Sequence, residues 1–447
     1  MRVLVIGGGE VGQNVARVLS AERHDVTLVD QDAARVDALQ GEIDALVVPG
    51  NGASPRLLRE VSAGQADLLV AVTQRDETNV IAALAGHQLG ARQTVARVRD
   101  PDYFGPEESF ARDELGIDFL INPDRATADD LAEAILLPGA VHVEYFAEGR
   151  VAVAESILTE RSPLLGLSLA ERRRVRPHTI IGLIRDGRAV PGEPGHRPRA
   201  GDHVLVAAAR DDIRPVVANL AGQAQRVHDA VIFGGGRIGL PLARRLEESD
   251  EVRVTVMERD RERARYIAER LPRTTVLHEE GVGREVLLAQ GVDRVGAFVA
   301  CAGDDRANLL ATLHAKQLGA GLCLAVVSRE EFFPLVDALG LDTAISPRLV
   351  TSEAILRAVR GENVEAMYLL LGGAEVLEVQ ADPGCQAEGR TIEQTDSMAR
   401  THVAAIVRDG RVILPEAGRE MVRGGDRLVV FNTRRGVADV KRTFTAP

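Results

Sequence analysis

The segment Val3-Leu4-Val5-Ile6-Gly7-Gly8-Gly9-Glu10-Val11-Gly12 returns later in the chain as Ala230-Val231-Ile232-Phe233-Gly234-Gly235-Gly236-Arg237-Ile238-Gly239. Each copy is an apolar run that feeds a G-x-G-x-x-G loop, and Gly7 and Gly234 stand 227 residues apart in a chain of 447. A repeat of fixed period means one folding unit used twice. Length alone suggests roughly three domains. The repeat argues for four, two in each half.

The pattern that follows each loop is the same. In the first half, apolar runs at 3–6, 25–29, 45–48, 68–72 and 94–98 alternate with helical spacing at 11–19, 32–40 and 79–89. In the second, runs at 230–233, 253–257 and 297–301 and the helical stretch 305–318 keep the same order. Short apolar runs alternating with helices predict a parallel sheet covered on both faces. The expected fold is therefore α/β: two tandem Rossmann-like, doubly wound parallel sheets. Beyond each of them, 141–219 and 365–444 turn to short alternating runs and Asp-Gly turns, as at Asp186-Gly187 and Asp409-Gly410. These read as hairpins in small α+β domains. The polar interval 221–229 is the expected link between halves.

Composition narrows the function. The formal net charge is −12, which argues against nucleic acid as a partner, since phosphate backbones select basic faces. No run of 18 or more apolar residues occurs, so no transmembrane span is expected, and the glycines after Ile6 argue against a signal peptide. Cys301, Cys323 and Cys385 are scattered and read as buried small residues in a reducing compartment. Lys316 and Lys441 are the only lysines, so the first 315 residues hold none for Schiff-base chemistry or a P-loop. His278-Glu279-Glu280 does not converge as a metal site, and the basic run Arg172-Arg173-Arg174-Val175-Arg176 reads as a helix face. Neither a catalytic nor a metal constellation is expected.

The glycine loops carry the chemistry. Gly7 permits the tight turn, Gly9 lets the backbone approach a pyrophosphate, and Gly12 allows close helix–strand packing. Phosphates would rest on the N-terminus of the following helix. Asp30, at the end of the second run, is placed to accept from ribose hydroxyls and to repel a 2′-phosphate, which favours NAD(H) or an adenine nucleotide over NADP(H). The second copy offers Gly234, Gly235, Gly236, Arg237, Ile238, Gly239 and Glu258. Three features weaken it: Pro241 should disturb the first helical turn, Arg259 follows the acid, and Gly50-Asn51-Gly52 is replaced by Glu279-Glu280-Gly281.

Further stretches match a known family. Ala71-Val72-Thr73-Gln74-Arg75-Asp76-Glu77-Thr78-Asn79, Ala96-Arg97-Val98-Arg99-Asp100-Pro101-Asp102-Tyr103, Pro138-Gly139-Ala140 and, in the second half, Asp304-Asp305-Arg306-Ala307-Asn308 join the two loops. Together they resemble the TrkA family, peripheral subunits of bacterial Trk potassium-uptake systems, over essentially the whole chain. The resemblance implies RCK-type (regulator of potassium conductance) N-terminal domains at 1–125 and 229–350, each followed by a C-terminal domain, at 140–224 and 364–447. It implies NAD(H), with ATP or ADP possible, on Gly7, Gly8, Gly9, Glu10, Val11, Gly12, Asp30, Thr73, Gln74 and Arg97. The second site would use Gly234 to Gly239 and Glu258, with Ala302 in place of Thr73. It implies a non-enzymatic, cytoplasmic regulatory subunit on the inner face of the membrane. This would form a homo-oligomeric ring, tetramer or dimer, beneath a channel subunit of the TrkH or TrkG type. An NAD-dependent oxidoreductase and a scaffold with dead sites are the competing readings.

Overall fold

The computed structural model describes the chain apart from residues 22, 105–113, 172–176, 186–187, 223–225, 280–282, 340, 360–365, 370–373, 400, 416–418, 433–436 and 447. The basic run 172–176, the Asp186-Gly187 turn and Glu280-Gly281 thus lie outside the described residues.

Strands β1 (Arg2–Ile6), β2 (Asp25–Asp30), β3 (Leu46–Pro49), β4 (Leu68–Ala71), β5 (Thr94–Arg97) and β6 (Phe119–Ile121) form a sheet of order β3-β2-β1-β4-β5-β6. All its neighbours are parallel. Alternate residues face opposite sides. Val3, Val5, Leu28, Val70 and Val95 join one core, and Leu4, Ile6, Val29, Leu69 and Ala71 join the other.

The chain then builds an antiparallel sheet from β7 (Ala140–Phe146), β8 (Val151–Ile157), β9 (Thr179–Arg185), β10 (Arg188–Pro191) and β11 (His203–Ala209), in the order β10-β9-β11-β8-β7. The second half repeats both sheets. Strands β12 (Asp229–Phe233), β13 (Arg253–Glu258), β14 (Thr275–His278), β15 (Ala297–Ala300), β16 (Leu322–Val326) and β17 (Thr343–Ile345) run β14-β13-β12-β15-β16-β17. Strands β18 (Ala366–Leu369), β19 (Glu375–Gln380), β20 (His402–Arg408), β21 (Arg411–Ile413) and β22 (Arg427–Asn432) run β18-β19-β22-β20-β21. Position for position, this is the order of the first half.

The hairpin β20–β21 turns at Asp409-Gly410, with φ of 51° and 75°. Left-handed values at both central residues suit the twist of the flanking strands. Arg408 and Arg185 occupy equivalent strand ends, and each grips an aspartate, Asp426 and Asp202, through Nε and Nη2.

The halves are not packed side by side as finished units. The helix Pro123–Leu136, which follows β6, packs on Gly239–Ser249 of the second half, and Pro347–Val359, which follows β17, packs on Glu10–Ala21 of the first. The two exchanged helices also touch each other. Ile355 and Leu356 therefore belong to the first-half core with Val11, Val15 and Leu19. Leu131, Ala132 and Ile135 belong to the second-half core with Leu242, Ala243 and Leu246. The small sheets also share a core, in which Phe146, Val153 and Ile181 meet Val376, Val429 and Phe431. A Cβ on Gly182 would lie 2.7 Å from Phe431 Cζ, so any larger residue there must displace that ring.

A titratable group lies where Pro123–Leu136 runs into β7. Burial pushes the Glu133 carboxyl up to about 7, opposed by His142 and reinforced by Asp130, Glu144 and Asp129. Burial lowers His142, but its hydrogen bond to Glu144 and the charges of Asp130, Glu144 and Glu353 outweigh this and leave it above its ordinary value. An acid raised in the fold stabilises it while protonated. That contribution is complete below the ordinary 4.5 and lost as pH rises to about 7. The histidine acts in the same sense at higher pH. Stability should therefore fall as pH rises from about 4.5 to about 7 and go on falling above the histidine's ordinary 6.5, and Glu133→Gln should flatten the lower part of that slope. Thermal unfolding midpoints of the two proteins across this range check it; parallel curves would refute it.

Candidate functional site

The first glycine loop joins β1 to the helix Glu10–Ala21 at the point where the order of strands reverses, between β1 and β4. Ligands bind parallel sheets in that crevice, outside the carboxyl ends of the strands. Each glycine has a separate reason. Gly7 has φ of 112°, and a Cβ on it would lie 2.9 Å from the Thr73 amide nitrogen. A Cβ on Gly12 would collide with the Gly7 carbonyl oxygen, because the helix leaves the loop pressed against it. A Cβ on Gly9 would meet nothing within 4 Å. Packing thus explains Gly7 and Gly12, whereas Gly9 faces space that the chain leaves open. Its neighbours are the first amides of a helix, which attract anions. A dinucleotide or adenine nucleotide fits such a cradle.

Asp30 closes the site. Its Oδ2 accepts from the Gly8 amide at 2.6 Å, its Oδ1 from Asp32 at 2.8 Å, and both from Arg35 Nη1 at 3.2 and 3.1 Å. The side chain is 6% exposed, against 39% for Arg35. The carboxylate therefore fixes the loop before any ligand arrives. A ribose must share it with Arg35 or turn Arg35 aside. Arg35 is a cation that the glycine–acid pattern does not register, and it offsets part of the negative charge that Asp30 presents to a 2′-phosphate.

The loop after β4 lies against Gly7, which brings Thr73 and the exposed Gln74 to the crevice. It is held by Asn79, which is fully buried. Asn79 Oδ1 accepts from the Thr73 amide and hydroxyl, both at 2.7 Å, and its Nδ2 donates to the Thr73 and Arg97 carbonyls at 3.0 and 2.8 Å. Asp76 does the same for the next loop, accepting from the Arg99 and Asp100 amides. Asn308 and Asp305 repeat both roles on Ala302, Val326, Ser328 and Arg329. These four residues carry the geometry of the site without being candidates from chemistry. The signal for them is the duplicated spacing D-x-x-N at Asp76–Asn79 and Asp305–Asn308.

Arg97 is 8% exposed. Burial, with Arg99 adding to it, lowers its guanidinium to about 10, while Asp76 and Asp124 oppose. Arg237 of the second half faces it too. The structure thus sets Arg97 at the seam between halves.

The second loop repeats the first. A Cβ on Gly239 would collide with Gly234 carbonyl oxygen, and one on Gly236 would meet nothing within 4 Å. Glu258 accepts from Gly235 and Asp260, both at 2.9 Å. Pro241 does not disturb the helix, contrary to expectation. Leu240 and Leu242 bond Gly236 and Ile238 at 3.1 and 3.0 Å, and a first-turn residue has no amide bond inside its helix to lose. Arg263 Nε, not the Arg259 side chain, reaches the loop, donating to Gly235 carbonyl oxygen at 3.1 Å. Ala302 leaves the Asn308 clamp intact, because the clamp needs only backbone. Cys301 lies under the loop, buried, and burial pushes its thiol up to about 12. Among the described residues no cluster of His, Cys, Asp or Glu could hold a metal, and no helix is long and apolar enough to cross a membrane.

Comparison with known proteins agrees with this geometry. The TrkA-N domain family matches residues 3–123 and 230–347, the two parallel sheets. The Trk system potassium uptake protein TrkA of Azorhizobium caulinodans is 33% identical, over 99% of this chain and 98% of that one. The protein of the same name from Halomonas elongata is 34% identical over the same shares. Among solved structures, the GsuK RCK domain superposes with a TM-score of 0.62 over 99% of this chain and 94% of that one, at 19% identity. The GsuK channel bound to NAD gives 0.63 over 99% and 78%, at 18%. At such identities the likeness is one of fold.

The Asn79 clamp yields a prediction. Asn79→Ala leaves the Thr73 amide and the Arg97 carbonyl unpaired in a buried place, at a cost of about 2–3 kcal/mol. Denaturant unfolding of this variant and of Asn308→Ala should show similar losses; a loss confined to one would mean the two clamps differ.

Proposed function

The chain belongs to the TrkA family, and from that premise we propose that it is the regulatory subunit of a Trk-type potassium-uptake system. It binds NAD(H), ATP or ADP and gates a membrane-embedded potassium-translocating subunit. The observation that carries the reading is the open space at Gly9 and Gly236, where the chain keeps a glycine that its own packing does not require. The residues proposed for the first site are Gly7 to Gly12, Asp30, Thr73, Gln74 and Arg97. Those proposed for the second are Gly234 to Gly239 and Glu258. The proposed domains are 1–125, 140–224, 229–350 and 364–447.

In this reading the nucleotide is sensed and not consumed. Its pyrophosphate would rest on the first amides of Glu10–Ala21, and the first 315 residues hold no lysine to act on it. That helix packs on its other side against Pro347–Val359 of the opposite half. A ligand that prefers one arrangement of this contact biases the halves by its difference in affinity for the two arrangements, and by nothing else. Such a bias, summed over a homo-oligomeric ring at the inner membrane face, would reach a channel subunit of the TrkH or TrkG type.

Titration calorimetry of the chain with NADH, NAD, ATP and ADP tests this. Asp30→Ala should weaken NADH by about 2–3 kcal/mol, the value of charge-assisted bonds to ribose. Gly9→Val should abolish first-site binding, because a side chain would fill the pyrophosphate position, where an added Cβ meets nothing of the protein within 4 Å. Unaltered binding in both variants would refute the first site. Turnover of NADH would favour an enzyme instead.

A further inference from the structure

The repeat makes Glu10 and Arg237 equivalent, since each is the fourth residue of its glycine loop. It also makes Asp124 and Arg348 equivalent, since each follows the proline that opens its exchanged helix. In both cases the equivalents carry opposite charge. Glu10 of the first half pairs with Arg348 of the second. Arg237 of the second half pairs with Asp124 of the first, Nε to Oδ2 at 3.6 Å. The seam is one contact made twice, with the signs of these two charges inverted between its two occurrences.

We propose that these four residues form a charge code that selects unlike halves as partners and rejects like ones. Two first halves brought together through the same helices would set Glu10 against Asp124 at both contacts. Two second halves would set Arg237 against Arg348. Only the unlike pairing puts opposite charges together at both places. The apolar part of the seam distinguishes the halves only by size, without a repulsion between like ones. Val11, Val15 and Leu19 on one side have Ile238, Leu242 and Leu246 as equivalents, and Leu131 has Ile355. Ala132 has the larger Leu356 as its equivalent, so like pairing would cost packing at that point, but no apolar contact repels as like charges do.

Magnitudes support a selective role over a stabilising one. Each pair has one member in solvent, Arg237 at 67% and Glu10 at 49% exposed, against 12% for Asp124 and 37% for Arg348, and solvent on one side weakens what such a pair adds to stability. Specificity depends on a difference, and opposing like charges widens it without strengthening the correct pair. A chain that carries both halves, in a solution full of its copies, has like halves as its nearest competitors. The partner recognised by each exchanged helix is thus the glycine-loop helix of the opposite half.

The test uses the full chain freed of its own thiols by Cys301→Ala, Cys323→Ala and Cys385→Ala, and carrying Ala16→Cys and Ala128→Cys. These positions lie on Glu10–Ala21 and Pro123–Leu136, helices that would meet between molecules only if two first halves paired. The chain is unfolded, refolded and oxidised, and the reducible cross-linked dimer is measured on a gel. Three versions are compared: the parent, E10Q/R348Q and E10R/R348E. The charge exchange E10R/R348E keeps an ion pair at the native seam, but turns Glu10 against Asp124 into Arg against Asp. The code predicts that dimer rises from parent through E10Q/R348Q to E10R/R348E, on the order of fivefold overall. An ion pair that only holds the seam predicts another order, with E10R/R348E equal to the parent and E10Q/R348Q highest. That order, or three equal yields, overturns the proposal. Circular dichroism and cooperative melting identify folded material. If E10R/R348E fails to fold, D124R/R237E makes the same change from the other side and is judged by the same orders.

Discussion

The exchange of one helix between the halves is the contact on which the rest of this structure depends. Each parallel sheet buries one face partly under a helix that the other half supplies. Ile355 and Leu356 fill a core whose strands are β1, β2 and β4, and Leu131 and Ile135 fill one whose strands are β12, β13 and β15. Neither half can withdraw without exposing apolar surface of the other, at about 25 cal/mol per Å². The antiparallel sheets reinforce the bond through their shared core and through Glu378, which accepts from the Ala147 amide at 2.6 Å across the join. The two halves are consequently one folding unit in energy, though two in pattern.

This arrangement also places the candidate sites. The helix that receives the phosphates is the helix that receives the exchanged partner, so an anion at Gly9 lies within a residue of the seam. The two requirements pull on different atoms. The phosphates need backbone amides at the helix start. The partner needs Val11, Val15 and Leu19 along one side. A helix satisfies both, because its amides point along the axis while its side chains point outward. The loop remains rigid between them because Asp30 holds the Gly8 amide and Gln13 Nε2 holds the Gly8 carbonyl at 2.9 Å.

What could be read in the sequence was whatever depends on local pattern. Apolar runs alternating with helical spacing located the parallel strands, and the glycine loops and following acids located the crevice. The hairpin at Asp409-Gly410 followed from the turn that those residues favour. What depends on which surfaces meet was not legible. The spacing of Leu131, Ala132 and Ile135 describes a helix with one apolar face, and would be the same whether that face covered its own sheet or the neighbouring one. The family resemblance puts Arg97 in the first crevice, yet its charged surroundings include Arg237, which comes from 140 residues later. The Asn79 clamp was hidden because an asparagine has no chemistry of its own to announce it. Pro241 misled because the rule against proline in helices applies beyond the first turn and not within it.

Comparison of the copies separates two kinds of constraint. The bonds that shape each crevice are kept in both: amide to acid at Gly8–Asp30 and Gly235–Glu258, and the clamps of Asn79 and Asn308. The residues that face the crevice or the seam have diverged. Glu10 stands against Arg237, Thr73 against Ala302, and Gly50 against Glu279, which takes over the bond to the strand beside it. A half retained only as scaffold would be free to lose the open glycine, yet Gly236 remains. A half retained as a second copy of the same sensor would keep the same facing residues, and these differ in charge. The pattern that fits both facts is two crevices of one shape with unlike electrostatics, held at fixed register by the helices they exchange.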